Sequence, residues 1–182
     1  MRIREYSPAD ERGWLQCRLM GFFDTDYYDD VQRERPVLAP GNIELVAEDD
    51  SGDIVGILSI EVDGAAATID TVAVHPSARR SGAATALLDA ALARLPRDVR
   101  TLDAWTREDA AANAWYAASG FTEQHRYLHV YKGHDEPDDG FTTPDGLSAP
   151  VIAFMHAKIE RETELRARYA RVYVCRQYLR EL

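Results

Sequence analysis

The chain has 182 residues, of which 46% are hydrophobic and 29% are charged, so it is long enough for one domain with a substantial core. Its 21 basic and 31 acidic side chains give a formal net charge of −10. Because nucleic acids and anionic membranes attract basic surfaces, this charge argues against either as a partner. No apolar run approaches the roughly 18 residues of a membrane span, and no signal-peptide pattern opens the chain. We therefore expect a cytoplasmic protein.

Cysteine and histidine are too sparse to suggest a metal site. Cys17 and Cys175 are the only cysteines, and neither a CxxC pair nor a zinc-type spacing is present, so we expect two reduced thiols. His125 and His129 would share one face of a strand, but no third ligand accompanies them. The sequence therefore predicts that no metal is bound.

The first half of the chain is predicted to consist mostly of strands. Ser7 followed by Pro8 predicts the start of a helix that runs to about residue 20, because serine caps helices and proline suits their first turn. The aromatic residues between Phe22 and Val31 predict a second short helix, which Pro36 ends. The predicted strands cover residues 2–6, 43–47, 54–62 and 66–74.

The second half is predicted to alternate helices and strands. A helix over 82–95, a strand over 99–106, a helix over 110–119 and a strand over 121–132 lead into a polar loop over 133–149. A helix over 150–166, with Ile152, Phe154, Met155 and Ile159 as its apolar face, and a strand over 169–179 complete the prediction, with one continuous helix over 150–180 as the alternative. This order predicts a single α/β (α+β) domain over residues 1–182, with a mixed sheet of about seven strands flanked by helices.

The most informative segment runs from Thr68 to Thr85, where a predicted strand enters a loop and the loop enters a helix. Residues 81–85 are small or polar, so the backbone N–H groups at the helix start are open to an anion. Arg79 and Arg80 would add positive charge beside them. Neither a GxxxxGK nor a GxGxxG pattern is present, which excludes the common nucleotide-binding loops.

Two motifs of the chain resemble those of one family. The segment Arg79–Ala84 resembles the acyl-CoA loop of the Gcn5-related N-acetyltransferases (the GNAT superfamily), whose pattern is Arg/Gln-x-x-Gly-x-Gly/Ala. The segment Asn113–Phe121 is similar to the family's Tyr-x-x-x-Gly-Phe signature, with Tyr116 as its tyrosine. The resemblance covers residues 2–132 in element order. It implies a mostly antiparallel twisted sheet with splayed central strands, and acetyl-CoA as the co-substrate.

The same resemblance implies which residues bind acetyl-CoA. The main chain of Val72, Ala73 and Val74 would pair with the pantetheine arm as an added strand does. The pyrophosphate would lie against Arg79, Arg80, Ser81, Gly82, Ala83, Ala84 and Thr85. Family members often carry an asparagine seven residues before the tyrosine. This chain has Asp109 at that position and Asn113 nearby, so either side chain would make the polar contact.

Catalytic roles are implied for two side chains. Tyr116 would donate a proton to the departing thiolate, as the family's general acid. Asp70 would lie on the same strand face as Val72 and remove a proton from the incoming amine. Asp103 and Glu108 are rival bases, and ordered water is a further alternative.

The resemblance leaves the end of the chain and the acceptor open. The family's last two strands pair as a hairpin, which here would be split by a loop-plus-helix insertion over 133–168, covering the acceptor site or forming a homodimer contact. The implied function is transfer of an acetyl group to a primary amine of a small molecule, a protein N-terminus or a lysine. A non-catalytic acyl-CoA-binding sensor and a nucleotide-binding α/β protein are the alternatives.

Overall fold

A computed structural model describes residues 1–182 and contains one sheet of eight strands in the order β1-β2-β3-β4-β5-β8-β6-β7. The strands are β1 (Arg2–Glu5), β2 (Ile43–Glu48), β3 (Ile54–Asp63), β4 (Ala66–Val74), β5 (Thr101–Thr106), β6 (Thr122–Lys132), β7 (Ala153–Ala157) and β8 (Arg171–Glu181). The helices are α1 (Glu11–Phe23), α2 (Ala83–Leu92), α3 (Ala110–Ala118) and α4 (Glu162–Arg168). None of the four is long and apolar enough to cross a membrane.

The predicted fold class is confirmed, because all neighbouring strands pair antiparallel except β4 and β5, which are parallel. The last two predicted strands, β6 and β8, pair as neighbours, although residues 133–170 separate them in the sequence. The sheet has one strand more than expected, namely β7, which pairs with the outer side of β6.

The predicted helix over 150–166 is wrong, and so is the continuous helix over 150–180. Residues 153–157 form β7, and α4 covers only 162–168. The side chains of β7 alternate: Met155 packs against the small core beside α4, whereas Phe154 is half exposed on the opposite face. Lys132, buried at the end of β6, donates to the carbonyl oxygens of Gly133 and Val151 and thereby fixes the entry to β7. Period-2 alternation therefore describes this segment better than a helical stripe.

The predicted helix between Phe22 and Val31 is also wrong. Helix α1 extends to Phe23, and residues 24–30 then form a series of turns, in which Tyr28 N–H donates to Thr25 C=O and Asp30 N–H to Tyr27 C=O. The aromatic side chains of this loop lie under arginines from distant elements: the Arg107 guanidinium lies 4.1 Å from the Tyr27 ring centre. Long-range packing, not a helical stripe, explains the aromatic residues here.

The two faces of the sheet are covered unequally. A core of 17 buried residues lies on the face that carries α2 and α3. On the other face, α1 packs on the β2–β4 half through a core of 5 buried residues, among them Trp14, Cys17 and Ala73. Helix α4 packs against β8, and the core beside it holds 6 buried residues.

Strands β4 and β5 separate before they end. Their parallel pairing runs from Ala66 and Thr101 to Ile69 and Ala104, yet β4 continues to Val74 and β5 to Thr106. Asp70 is left without a partner on β3, where the register changes between Ile69 and Thr71. Such a bulge bends a strand and increases its twist. The splayed central strands expected from the family resemblance are therefore present, with a gap between their carboxyl ends.

Candidate active site

A cleft of about 740 Å³ occupies the gap between the splayed strands. Its walls come from the second half of α1, the 24–30 loop, the end of β4, the start of α2, and α3. The predicted site residues that line it are Asp70, Val72, Ala73, Val74, Arg79, Arg80, Gly82, Ala83, Ala84, Thr85, Asp109 and Tyr116. Ser81 and Asn113 are absent from the lining. The structure thus brings most of the predicted residues to one cavity.

The cradle, which we define as residues 79–85, presents unpaired backbone donors to the cleft. The N–H groups of Arg80, Gly82, Ala83, Ala84 and Thr85 donate to no acceptor within the chain. Gly82 caps α2 with φ +85°, and Arg80 has φ +63°, a conformation that glycine adopts without cost and arginine does not. These donors, together with the positive end of α2, suit a phosphate group.

Ser81 and Arg79 make contacts that fix the cradle. The Ser81 N–H and hydroxyl both donate to the Ala78 carbonyl oxygen, at 3.3 and 2.7 Å, which holds that side chain outside the cleft. Arg79 donates to the Gly21 carbonyl oxygen at 3.2 Å and lies 3.6 Å from the Asp24 carboxylate. Gly21 packs closely on β4, since an added Cβ would lie 3.1 Å from the Ala73 Cβ. Arg79 therefore joins the end of α1 to the cradle while still lining the cleft.

Tyr116 lies at the floor of the cleft on α3. Its ring stacks on Tyr178 at 5.3 Å and meets Phe121 edge-on at 5.4 Å, and the residue is 4% exposed. Burial raises the pKa of Tyr116 well above its ordinary value, and its hydroxyl makes no hydrogen bond within the chain. The phenol is therefore rigidly held, protonated and free to donate to a group in the cleft.

Of the three carboxylates considered as bases, only Asp70 lines the cleft. Asp70 is exposed, and its only hydrogen bond within the chain is from the Thr71 hydroxyl at 2.9 Å. Asp103 accepts from Thr68 and Gln177, and Glu108 accepts two hydrogen bonds from Arg166.

Asp70 reaches the cleft by a different geometry from the one predicted. Strict alternation would place Asp70 and Val72 on one face, but the bulge interrupts it: Ile69 and Val72, three positions apart, both pack against the 17-residue core. The cleft position of Asp70 follows from the bulge, not from a two-residue spacing.

The two candidates for the amide contact have different environments. Asn113 donates to the carbonyl oxygens of Arg107 and Asp109, at 2.7 and 2.8 Å, and accepts from the Tyr178 hydroxyl at 2.8 Å. Its side chain is thus occupied in holding the start of α3 and lies outside the cleft. Asp109 lines the cleft and accepts from the Asp26 N–H at 3.2 Å.

Sequence reasoning missed the side chains that hold the 24–30 loop against the cleft. Arg107 is 6% exposed and donates to Asp26 C=O, to the Tyr131 hydroxyl and to His129 Nδ1. Burial, together with the nearby Asp109 carboxylate, raises the pKa of Asp26. The partners lie more than 20 positions from Arg107, so no local motif signals this arrangement.

The thiols are poorly suited to covalent catalysis. Burial raises the pKa of Cys17 to about 12 and also raises that of Cys175. Since the thiolate is the nucleophilic form, neither cysteine is activated. The chemistry available in the cleft is therefore hydrogen bonding and proton transfer by Tyr116 and the carboxylates.

A splayed sheet with an anion cradle beside the gap is the arrangement that the family resemblance implies, and comparison with known proteins agrees with it. Residues 40–123 match the family model of the acetyltransferase (GNAT) domain. The resemblance seen in the two motifs is confirmed, because both motifs lie within the residues that match this GNAT model. No curated protein sequence matches the chain.

Solved structures of several acetyltransferases share the fold. The ribosomal-protein-S18-alanine N-acetyltransferase from Escherichia coli is 17% identical, with a TM-score of 0.60, and the match covers 99% of this chain and 92% of that one. A GNAT-family acetyltransferase from Staphylococcus aureus Mu50 is 15% identical, with a TM-score of 0.62 and coverage of 100% and 98%. The ribosomal-protein-alanine N-acetyltransferase from Brucella melitensis is 18% identical, with a TM-score of 0.61 and full coverage of both chains.

Proposed function

We propose that this protein transfers the acetyl group of acetyl-CoA to a primary amine by direct attack. The observation that carries the proposal is the meeting of three features in one cleft: the unpaired N–H groups of the cradle, the unpaired edge of β4, and the Tyr116 hydroxyl. A CoA thioester needs an anion site for its pyrophosphate, a hydrogen-bonding edge for its amide-bearing arm, and a donor near its sulfur.

The residues would act in the following order. The β4 edge from Val72 to Val74 and the cradle hold acetyl-CoA as substrate. Asp70, directly or through water, removes a proton from the bound ammonium, and the amine nitrogen then attacks the thioester carbonyl carbon. The carbon–sulfur bond breaks as the amide forms, and Tyr116 donates its proton to the departing thiolate sulfur. The second proton that the nitrogen loses passes through water to the Tyr116 phenolate, and the proton held by Asp70 is released to solvent. The products are the N-acetylated acceptor and CoA.

The class of acceptor is proposed only as a primary amine on a small molecule, a protein N-terminus or a lysine. Structures with this fold carry names that include both ribosomal-protein-alanine and nourseothricin acetyltransferases, so the fold does not select among acceptors. The acidic chain, with a net charge of −10, favours encounter with cationic amines. A cytoplasmic location, a homodimer and a single domain over the whole chain remain parts of the proposal.

The proposal is tested by release of free CoA with a panel of primary amines. Saturable CoA release that depends on one class of amine is expected. Tight acetyl-CoA binding with no CoA release on any amine would contradict it and favour a sensor. A thermal-shift comparison of acetyl-CoA with ATP separates both from a nucleotide-binding protein, because only acetyl-CoA is expected to raise the melting temperature.

A further inference from the structure

Arg18 is a buried cation in the cleft that the proposed transfer does not use. It lies on α1, lines the cleft, and is 4% exposed. The other two arginines of the lining, Arg79 and Arg80, belong to the cradle. Three positions after Arg18 along α1, Gly21 accepts the hydrogen bond from Arg79. Arg18 therefore lies on the side of that contact away from the cradle, about 4.5 Å along the helix axis.

The hydrogen bonds of Arg18 are incomplete. Its two terminal nitrogens donate to Asp30, to the carbonyl oxygen at 2.6 Å and to the carboxylate at 2.8 Å. Its Nε–H is buried and has no acceptor. Buried N–H groups without an acceptor are rare in folded proteins, and one on a charged side chain is costly. The chain therefore leaves part of the hydrogen-bonding capacity of this guanidinium unused.

The partner of Arg18, Asp30, is partly exposed to solvent. The Asp30 side chain is 46% exposed, whereas that of Arg18 is 5% exposed. The Asp30 carboxylate is therefore partly hydrated and shields the buried Arg18 charge incompletely, which leaves the guanidinium able to attract a second anion. The Phe22 ring, 4.7 Å from the guanidinium carbon, supports the flat face of the group.

We propose that Arg18 binds a carboxylate that one of the two substrates brings to the reactive part of the cleft. This inference rests on the proposed function and narrows its substrate class. The carboxylate would come either from the acceptor, which would then be an amino acid or a similar zwitterion, or from an acyl group longer than acetyl, such as succinyl. The cleft also offers Asp70 and Asp109 to an ammonium group, so it presents both charges that a zwitterion carries.

The test compares substrates that differ only in the carboxylate. One arm measures kcat/KM with acetyl-CoA for amino acids and for their α-carboxamides. The other measures succinyl-CoA against acetyl-CoA with a neutral primary amine. We expect the carboxylate-bearing member of one arm to be preferred, and Arg18→Gln to lower its kcat/KM by about 10- to 100-fold, as loss of a charged hydrogen bond does. For the matched substrate without the carboxylate, Arg18→Gln should change kcat/KM less than threefold.

Two further variants separate binding from a purely structural role. Arg12→Gln alters an exposed arginine of the same helix and should leave kcat/KM unchanged for both substrates of each pair. Asp30→Asn removes the charge of the present partner of Arg18 but keeps its backbone acceptor. If Arg18 only fixes the 24–30 loop, then Arg18→Gln and Asp30→Asn lower kcat/KM equally for the two substrates of each pair. That result would overturn the proposal. If Arg18 binds the substrate, Asp30→Asn keeps or increases the preference for the carboxylate-bearing substrate. This second variant keeps the test decisive if Arg18→Gln does not fold.

A binding measurement keeps this inference separate from the proposed function. Calorimetric titration of the amino acids and their carboxamides into the CoA-bound protein, and of succinyl-CoA and acetyl-CoA into the free protein, needs no turnover. Tighter binding of the carboxylate-bearing ligand that Arg18→Gln abolishes would support the inference even if no amine releases CoA. Equal binding of acid and amide, together with equal binding of the two thioesters, would refute it even if acetylation is observed.

Discussion

The two walls of the cleft are built differently. The cradle is a continuous segment, residues 79–85, whose functional groups are backbone N–H donors. The opposite wall combines α1 with the 24–30 loop, whose position depends on side chains from β6, β8 and the turn after β5. Small residues in a short segment suffice for the cradle, whereas the loop needs arginines and aromatic rings distant in sequence. The first wall is therefore readable from a motif and the second is not.

The largest predicted effect tests whether Arg107 holds the 24–30 loop against the cleft. Replacing Arg107 with Met leaves Asp26 C=O, the Tyr131 hydroxyl and His129 Nδ1 without their donor. We expect the free energy of unfolding to fall by about 2–4 kcal/mol, and hydrogen exchange in residues 24–30 to accelerate. Urea unfolding and exchange measured by mass spectrometry check this. Exposed Arg97→Met is the matched control, and a change in Arg107→Met as small as in that control would show that the loop is held by other contacts.

The difference between the walls also explains which parts of the structure the sequence predicts. The order of strands up to β6, the bounds of α3 and the cradle follow from local patterns, so they were predictable. The gap beyond Ile69 was expected only through the family resemblance, and the bulge at Asp70 was not expected, because both depend on pairing with β3 and β5.

The errors fall where local pattern and long-range contact disagree. The aromatic residues of the 24–30 loop resemble a helical stripe, but they pack against arginines of distant elements. In β7, Phe154 and Met155 fit a helical stripe, but pairing with β6 makes them alternate. Arg18 was overlooked because a single arginine on a helix has no pattern; only its burial and its unpaired Nε reveal it.

Tyr116 lies on the floor between the walls, and the next prediction concerns its hydroxyl alone. Tyr116→Phe keeps the ring contacts with Tyr178 and Phe121 but removes the proton donor. We expect kcat to fall about 100-fold, within the range for loss of a general acid, while the Kd for acetyl-CoA changes less than twofold. Steady-state rates and calorimetry measure the two quantities.

Tyr178→Phe is the matched control for this prediction, because it removes a hydroxyl that donates to Asn113 outside the cleft. Its kcat should stay within about threefold of that of the unmodified protein. Equal losses in the two variants would mean that the phenols stabilise α3 and that Tyr116 does not act as the acid.

The third prediction concerns how stability depends on pH through His129, which accepts from the arginine that holds the 24–30 loop. Burial, with the charge of Arg107 next in importance, lowers the pKa of His129 to about 4, whereas an unfolded histidine titrates near 6.5. Between these values the unfolded chain binds a proton that the folded protein does not, so stability falls as the pH falls from about 6.5 to 4. The contribution lost over this range is on the order of 3 kcal/mol, of which about 2 kcal/mol is lost between pH 7 and 5.

Unfolding free energies measured by urea at pH 7, 6 and 5 check this third prediction. In His129→Gln the fall between pH 7 and 5 should be smaller than in the unmodified protein. His134→Gln serves as the control, since His134 is exposed and 77% of its side chain is accessible. An unchanged pH dependence in His129→Gln would place the titrating group elsewhere.

The smallest predicted effect concerns the cradle. Its donors are backbone N–H groups, so no side-chain deletion removes them, and the test must add a competing group. Ala84→Asp instead places a carboxylate in the first turn of α2, where it competes with a phosphate for the same N–H groups and the same helix dipole. We expect the Kd for acetyl-CoA to rise about 10-fold, equivalent to about 1.4 kcal/mol, while stability is unchanged or about 0.5 kcal/mol higher. Ser148→Asp adds the same charge at an exposed position of the loop before β7 and should alter neither quantity. Binding and stability that move in opposite directions only in Ala84→Asp would identify this helix start as the anion site; a Kd that rises equally in both variants would attribute the effect to net charge.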